Sequence, residues 1–130
     1  MDRKVENIGC NAVEPICDEP NAYNVKIYKQ CLDSNKLHGY RYVEYSHVAH
    51  LSSGDAKKIG EYAKKIGVKS RSIHSEHLNS DTNKAIDEYF KIQKKCTENC
   101  SLLGAKIMVI HPPNIKRDKK RDKFILSTIA

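Results

Sequence analysis

The architecture of this chain follows from one segment, Leu103-Gly-Ala-Lys-Ile-Met-Val-Ile-His-Pro-Pro113. Gly104 can end a helix in the left-handed conformation at little steric cost. The next apolar run, residues 107–110, predicts a strand that is covered on both faces. Two prolines cannot donate to a sheet, so this strand ends at His111. An ionisable residue at the carboxyl end of a parallel strand lies where α/β folds place their chemistry.

The same pattern of helix, glycine and strand recurs upstream and predicts alternating elements. The predicted strands are Lys4–Cys10, Tyr40–Tyr45, Val68–His74 and residues 107–110. The predicted helices run from Ala22 to about Lys36, from a cap within residues 52–55 to Gly67, and from a cap at Ser80-Asp81 to Gly104. A further amphipathic helix is predicted at Asp118–Ala130. This order is typical of parallel strands joined by right-handed crossovers, and we expect one α/β domain or part of one.

Composition narrows the class of protein. The chain has 130 residues, 39% hydrophobic and 30% charged, which is typical of a globular domain. No early apolar run resembles a signal peptide, and no apolar run is long enough to span a membrane. Five cysteines are an odd number, which favours reduced thiols over a disulfide framework. We therefore expect a cytoplasmic protein with no membrane partner.

The positive charge is concentrated in one run. The net charge is +7, and residues 116–123 hold six basic and two acidic side chains, a local charge of +4. Such a run could contact the phosphates of a sugar or of a nucleic acid. It is more typical of the solvated first turn of a helix with mixed charges, which is the interpretation we favour.

Strand alternation points to three candidate site residues. Side chains alternate between the two faces of a strand, so one face of each later strand ends in an ionisable residue. The three sets are Tyr40, Tyr42 and Glu44; Val68, Ser70, Ser72 and His74; and Ala105, Ile107, Val109 and His111. Glu44, His74 and His111 together could bind a divalent metal or transfer protons. The alternative is that each is a polar strand end with its own local hydrogen bonds.

The remaining histidines and cysteines are weaker candidates. His47 and His50, like His74 and His77, are three residues apart, a spacing that chelates metal on a helix. Both pairs follow predicted strands, so we expect exposed loop histidines apart from His74. Two cysteines one helical turn apart, Cys96 and Cys100, fit a buried helix face better than a metal site. No glycine-rich phosphate loop, GxSxG or CxxC motif is present.

Three segments together resemble a known superfamily. Gly39-Tyr-Arg-Tyr-Val-Glu44, Gly67-Val-Lys-Ser-Arg-Ser-Ile-His74 and the segment 103–113 resemble the opening of the xylose-isomerase-like TIM barrels. These barrels include sugar-phosphate isomerases/epimerases and metal-dependent apurinic/apyrimidinic endonucleases. A complete barrel has eight strands and about 250 residues. The resemblance therefore implies that residues 1–130 are a single partial domain with the first four strands, truncated in the fourth helix.

The resemblance implies two enzyme classes. In the sugar branch, Glu44, His74 and His111 would line a pocket for a sugar or sugar phosphate. A divalent metal (Mn, Mg, Zn or Co) would be held by later strands. In the endonuclease branch, His74 and His111 would be zinc ligands and DNA the partner. The sequence that follows His74, Ser-Glu-His-Leu-Asn, departs from the endonuclease pattern.

We therefore expect a fragment of a sugar-phosphate isomerase/epimerase-like enzyme, with a zinc endonuclease as the alternative. A third hypothesis is an inactive half barrel or assembly module. A half barrel leaves sheet edges unpaired, and a homodimer would close it.

Overall fold

The computed structural model describes residues 10–13, 23–77 and 82–111. They form a parallel four-stranded sheet with three α-helices, and the sheet order β1-β2-β3-β4 follows the chain. The elements are β1 Cys10–Val13, α1 Val25–Leu37, β2 Tyr42–Tyr45, a 3₁₀ turn Val48–His50, α2 Ser53–Ile66, β3 Lys69–His74, α3 Asn83–Leu102 and β4 Ile107–Val109. The predicted α/β class with parallel strands is confirmed. The half barrel stays a prediction.

Side-chain caps begin each helix. Asn24, Ser52 and Thr82 each accept a hydrogen bond from a backbone N–H three residues later, which satisfies a donor that the first turn leaves unpaired. The cap of α2 lies within the predicted segment. The cap of α3 lies after the predicted Ser80-Asp81, which falls outside the described residues.

Left-handed glycines lead from helices to strands. Gly67, with φ of 79°, ends α2. Val68 follows, and β3 begins at Lys69. Gly104, also with φ of 79°, follows α3 and leads to β4 as the sequence predicts. Only glycine adopts this conformation without a steric cost from Cβ. These turns therefore determine where two of the strands begin.

The helices bury one face of the sheet. Val43, Tyr45 and Ile73 of the strands are fully buried against helical residues such as Leu32 and Ile59. At the amino end of the sheet α2 passes very close to the end of α3. A Cβ atom built on Gly60 would lie 2.5 Å from the carbonyl oxygen of Leu102. The opposite face of the sheet carries the polar side chains described below.

Strand β4 is less buried than its sequence predicts. Ile107 is 49% exposed and Ile110 is 51% exposed. The prediction of a strand covered on both faces is therefore wrong for the described chain, because the described helices cover one face of the sheet. The predicted helix Asp118–Ala130 and the basic run 116–123 lie outside the described residues.

A bulge in β3 changes the predicted face of two residues. Val43 pairs with Ser70 and Glu44 pairs with Ser72, so Arg71 is an extra residue in β3. Ser70 consequently contacts the hydroxyl of the buried Tyr45 at 2.8 Å, on the helix side. Val68 is also in the core, 4% exposed. The predicted single face of Val68, Ser70, Ser72 and His74 is therefore wrong at its first two members.

The observed first strand overlaps the predicted one at a single residue. The predicted strand Lys4–Cys10 shares only Cys10 with β1, and its other residues lie outside the described part of the chain. Cys96 and Cys100 are buried thiols on α3 without a disulfide, as predicted. Among the described helices, none combines the length and the apolar character needed to cross a membrane.

Candidate metal centre

Five of the six histidines of the chain follow the carboxyl ends of strands β2, β3 and β4. His47 and His50 follow β2, His74 ends β3, and His77 and His111 come after β3 and β4. Since the strands are parallel, these ends share one edge of the sheet. The sixth, His38, ends α1 at the opposite edge. The histidines are therefore concentrated where α/β proteins bind ligands.

Glu44 and His74, both predicted site residues, are in contact. The Ser72 hydroxyl donates a 2.6 Å hydrogen bond to Oε2 of Glu44. The other carboxylate oxygen, Oε1, lies 3.3 Å from Nδ1 of His74. The bulge in β3 makes this possible, because it places Ser72 directly beside Glu44. When Nδ1 carries the proton donated to Glu44, Nε2 of His74 has a free lone pair.

His111, the third predicted residue, completes a group that we call the tri-histidine cluster: His74, His77 and His111. Nε2 of His74 contacts Nε2 of His111, and the rings of His77 and His111 stack with centroids 3.9 Å apart. One ligand nitrogen from each ring lies within 4.8 Å of the others. The hydroxyl of Tyr89 donates to the His111 carbonyl oxygen at 2.7 Å, which holds the end of β4 against α3.

The electrostatics around His111 favour its neutral imidazole. Partial burial lowers the pKa of His111, and the neighbouring His77 and His74 lower it further. A lower pKa keeps the ring uncharged near neutral pH, and a neutral imidazole is the form that binds metal. Three imidazoles, one of them beside a carboxylate that can accept its ring N–H, form a donor set typical of zinc sites.

A second group, the His47 cluster, consists of His47, His50 and Glu76. Its ligand atoms also lie within 4.8 Å of one another. Nδ1 of His47 is 3.4 Å from Oε1 of Glu76, an ion-pair distance. The ring of Tyr23 stacks on the ring of His50, with centroids 4.6 Å apart. It also contacts the ring of His47 in a tilted arrangement, with centroids 5.2 Å apart.

The two clusters adjoin one pocket. A cavity of about 340 Å³ is lined by residues of both clusters together with Glu44 and two serines; the lining is Glu44, Ser46, His47, His74, Ser75, Glu76 and His77. This volume is within the range of small-molecule sites. A larger cavity of about 570 Å³ lies at the amino end of the sheet, between α2 and α3, and has no histidine in its lining.

Sequence reasoning found three of these residues and missed four. Glu44, His74 and His111 were predicted from strand alternation, and the structure brings them together. His47, His50 and His77 were predicted to be exposed loop residues, and Glu76 was not singled out. His50 and His77 are indeed exposed, yet both belong to clusters. The available signal was the repeated His-x-x-His spacing after two successive strands.

Comparison with known proteins leaves the resemblance to xylose-isomerase-like barrels as a prediction. No protein-family model matches the sequence, and no curated protein is significantly similar to it.

Proposed function

We propose that this chain forms the first four strands of a xylose-isomerase-like TIM barrel and is a metal-dependent sugar-phosphate isomerase or epimerase. The observation that carries the proposal is that Glu44, His74 and His77 line a pocket at the carboxyl ends of the strands, and that His111 contacts both histidines beside it. In α/β barrels this edge of the sheet is where the chemistry takes place.

The residues present fit a divalent metal. His74, His77 and His111 would hold it through one ring nitrogen each. Imidazole ligands suit zinc and cobalt better than magnesium, which prefers oxygen. A bound divalent ion would supply a Lewis acid that polarises a carbonyl and its adjacent hydroxyl. Of the metals expected from the resemblance, this donor set favours zinc or cobalt.

Glu44 has two roles in the proposal. Its Oε1 orients His74 by accepting from Nδ1, so that Nε2 faces the cluster. Its carboxylate is also 29% exposed and lines the pocket, where it can accept a proton from a substrate and return it to the neighbouring carbon.

The second candidate function is a zinc-dependent endonuclease for abasic DNA. The observation that favours it is that all three members of the tri-histidine cluster are imidazoles within metal-ligand distance of one another. In the endonuclease branch, His74 and His111 would be zinc ligands, and the ion would supply the Lewis acid that activates water for hydrolysis of a phosphodiester. The contribution of the basic run 116–123 to DNA binding stays a prediction.

Solvent exchange distinguishes the two candidates. The full chain, loaded with Zn²⁺, Co²⁺ or Mn²⁺, would be incubated in D₂O with a panel of aldose and ketose phosphates and followed by proton NMR. We expect deuterium to replace the proton on the carbon next to the carbonyl. His74→Ala should abolish the exchange, whereas the matched control His38→Ala, at the opposite edge of the sheet, should retain it.

Two results would contradict the isomerase proposal. One is the absence of exchange for every substrate with a folded, metal-loaded chain. The other is cleavage of a duplex that contains an abasic site by the same preparation, lost in His74→Ala, which would favour the endonuclease.

We also propose that the protein is cytoplasmic and that it forms a homodimer. The exposed apolar side chains of Ile107 and Ile110 support the dimer, because a partner sheet would cover them. Light scattering after size exclusion should give a molar mass of twice 14.8 kDa. A cooperative, soluble monomer would contradict the dimer.

A further inference from the structure

We infer that the His47 cluster is a second divalent-cation site, distinct from the tri-histidine cluster and adjoining the same pocket. His47, His50 and Glu76 would be its ligands. Two imidazoles and one carboxylate are a donor set that zinc and cobalt accept, with coordination positions left open for water or another ligand. The inference goes beyond the proposed function and does not depend on it.

The backbone holds His47 in an unusual conformation. His47 has φ of 58° and ψ of 28°, and it is the single non-glycine residue with positive φ in the described part of the chain. This conformation costs free energy for a residue with a Cβ atom, and such residues are concentrated at functional sites. Here it directs Nδ1 of His47 toward the carboxylate of Glu76, 3.4 Å away.

Hydrogen bonds from a side chain of α3 hold the turn that carries His50. Asn99 is fully buried, and its amide nitrogen donates to the carbonyl oxygens of Val48 at 2.7 Å and Leu51 at 3.0 Å. These two bonds bracket the 3₁₀ turn Val48–His50. The stacked ring of Tyr23 then limits the rotation of the His50 imidazole. Two of the proposed ligands therefore belong to a turn that is held in place before any cation binds.

Glu76 is fixed in the same way and has an unsatisfied oxygen. The side chain of Gln93, on α3, donates to the Glu76 carbonyl oxygen at 3.1 Å. Oε1 of Glu76 is buried and forms no hydrogen bond with the described residues, although Nδ1 of His47 lies at an ion-pair distance of 3.4 Å from it. A buried carboxylate oxygen without a donor is costly, and a bound cation would compensate for it. Together with the histidine geometry, this observation points to a positively charged ligand that His47 and Glu76 would share.

The two sites would act on one pocket. His47 and Glu76 of one cluster and His74 and His77 of the other all line it. Because Glu76 lies between Ser75 and His77 in the loop after β3, one loop supplies a ligand to each cluster. A pocket with a cation on each side would suit an anionic substrate group such as a phosphate.

The probe for the test is Co²⁺, whose visible absorption reports the number and symmetry of its ligands. The metal-free full chain at pH 7.5 would be titrated with CoCl₂, and bound metal would be counted by elemental analysis after dialysis. We expect two equivalents per wild-type chain. His47→Ala/His50→Ala should bind one, and His74→Ala/His111→Ala should bind the other one, with a different spectrum.

Two further variants separate loss of ligands from loss of fold. Glu76→Gln keeps the side-chain shape and should weaken the second site at least tenfold while the first keeps its affinity. His38→Ala removes a histidine at the opposite edge and should bind two equivalents. A wild-type chain that binds no equivalent, or a single equivalent that His47→Ala/His50→Ala retains, would overturn the inference. So would two equivalents in His47→Ala/His50→Ala, or an unchanged second affinity in Glu76→Gln.

Discussion

Replacing Asn99 with leucine tests how firmly α3 holds the loop after β2. The substitution keeps the branching of the side chain at Cγ, with a somewhat larger volume, and removes the amide that donates to the carbonyl oxygens of Val48 and Leu51. The Val48 oxygen retains a hydrogen bond from the backbone N–H of Leu51, at 3.2 Å. The Leu51 oxygen, in contrast, loses the donor that the structure gives it.

The magnitude follows from these contacts. Two hydrogen bonds contribute about 1 kcal/mol each, and one buried acceptor left without a donor costs about 1–3 kcal/mol. These two contributions overlap in part, because the lost hydrogen bond to Leu51 and the unpaired acceptor both concern the Leu51 carbonyl oxygen. We therefore expect Asn99→Leu to lower the free energy of unfolding by about 2–4 kcal/mol.

The assay is urea unfolding of the metal-free chain, followed by circular dichroism. The matched control is Lys94→Ala, an exposed position on the same helix, which should change the free energy of unfolding by less than about 0.5 kcal/mol. In the same Asn99 variant we expect weaker Co²⁺ binding at the His47 cluster and unchanged binding at the tri-histidine cluster. A loss of stability no larger than that of the control would refute the reasoning, because the loop would then not depend on Asn99.

Three further predictions concern packing, reactivity and pH. Gly60→Ala should cost about 1–3 kcal/mol of stability in urea unfolding, since its Cβ would lie 2.5 Å from a backbone oxygen of α3. Gly54→Ala in the same helix, where the nearest atom is 4.0 Å away, should be neutral or stabilising; equal effects of the two would contradict the packing. Burial raises the pKa of the Cys96 thiol from 9.0 to about 11, so iodoacetamide at pH 8 should modify it about a hundredfold more slowly in the native than in the unfolded chain. Equal rates, measured by peptide mass spectrometry, would refute this. The pKa of His111 is lower in the folded chain than its usual 6.5, so the unfolded chain binds more protons below that pH and stability falls on acidification. The loss of stability between pH 7.5 and 5.5 should be smaller in His111→Gln than in the wild type. An equal loss in both would contradict a lowered pKa of His111 in the folded chain.

The α/β pattern was predictable because its signals are local. Gly67 and Gly104 follow helices and precede strands, and both adopt the left-handed conformation that such a position requires. Glu44, His74 and His111 were found by a simple rule, since side chains at the carboxyl ends of adjacent parallel strands must be near one another.

The bulge at Arg71 was not predictable from alternation alone. An extra residue in β3 moves Ser70 to the helix side and aligns Ser72 with Glu44. Nothing in the sequence Lys-Ser-Arg-Ser marks this change, because all four side chains are polar and fit either face. Register depends on how β2 and β3 pair, which is a property of the folded sheet.

The loop histidines show a different limit. Two histidines three residues apart can chelate a metal on a helix, but His47 and His50 were expected in a loop. The structure brings them to Glu76 through a positive φ at His47 and through Asn99, which is about fifty residues away in sequence. A contact over that separation is set by how α3 packs against the turn, and periodicity within a single segment does not report it.

The central claim is that the tri-histidine cluster binds a transition metal, and zinc X-ray absorption tests it most directly. The measurement uses His47→Ala/His50→Ala with one equivalent of Zn²⁺, so that the His47 cluster does not contribute. The account predicts three imidazole nitrogens at about 2.0–2.1 Å, with the outer-shell scattering that imidazole rings give. When His74→Ala is added to this double variant, part of the imidazole scattering should be lost. A first shell of oxygen atoms alone, or sulfur at about 2.3 Å from a cysteine, would contradict the account.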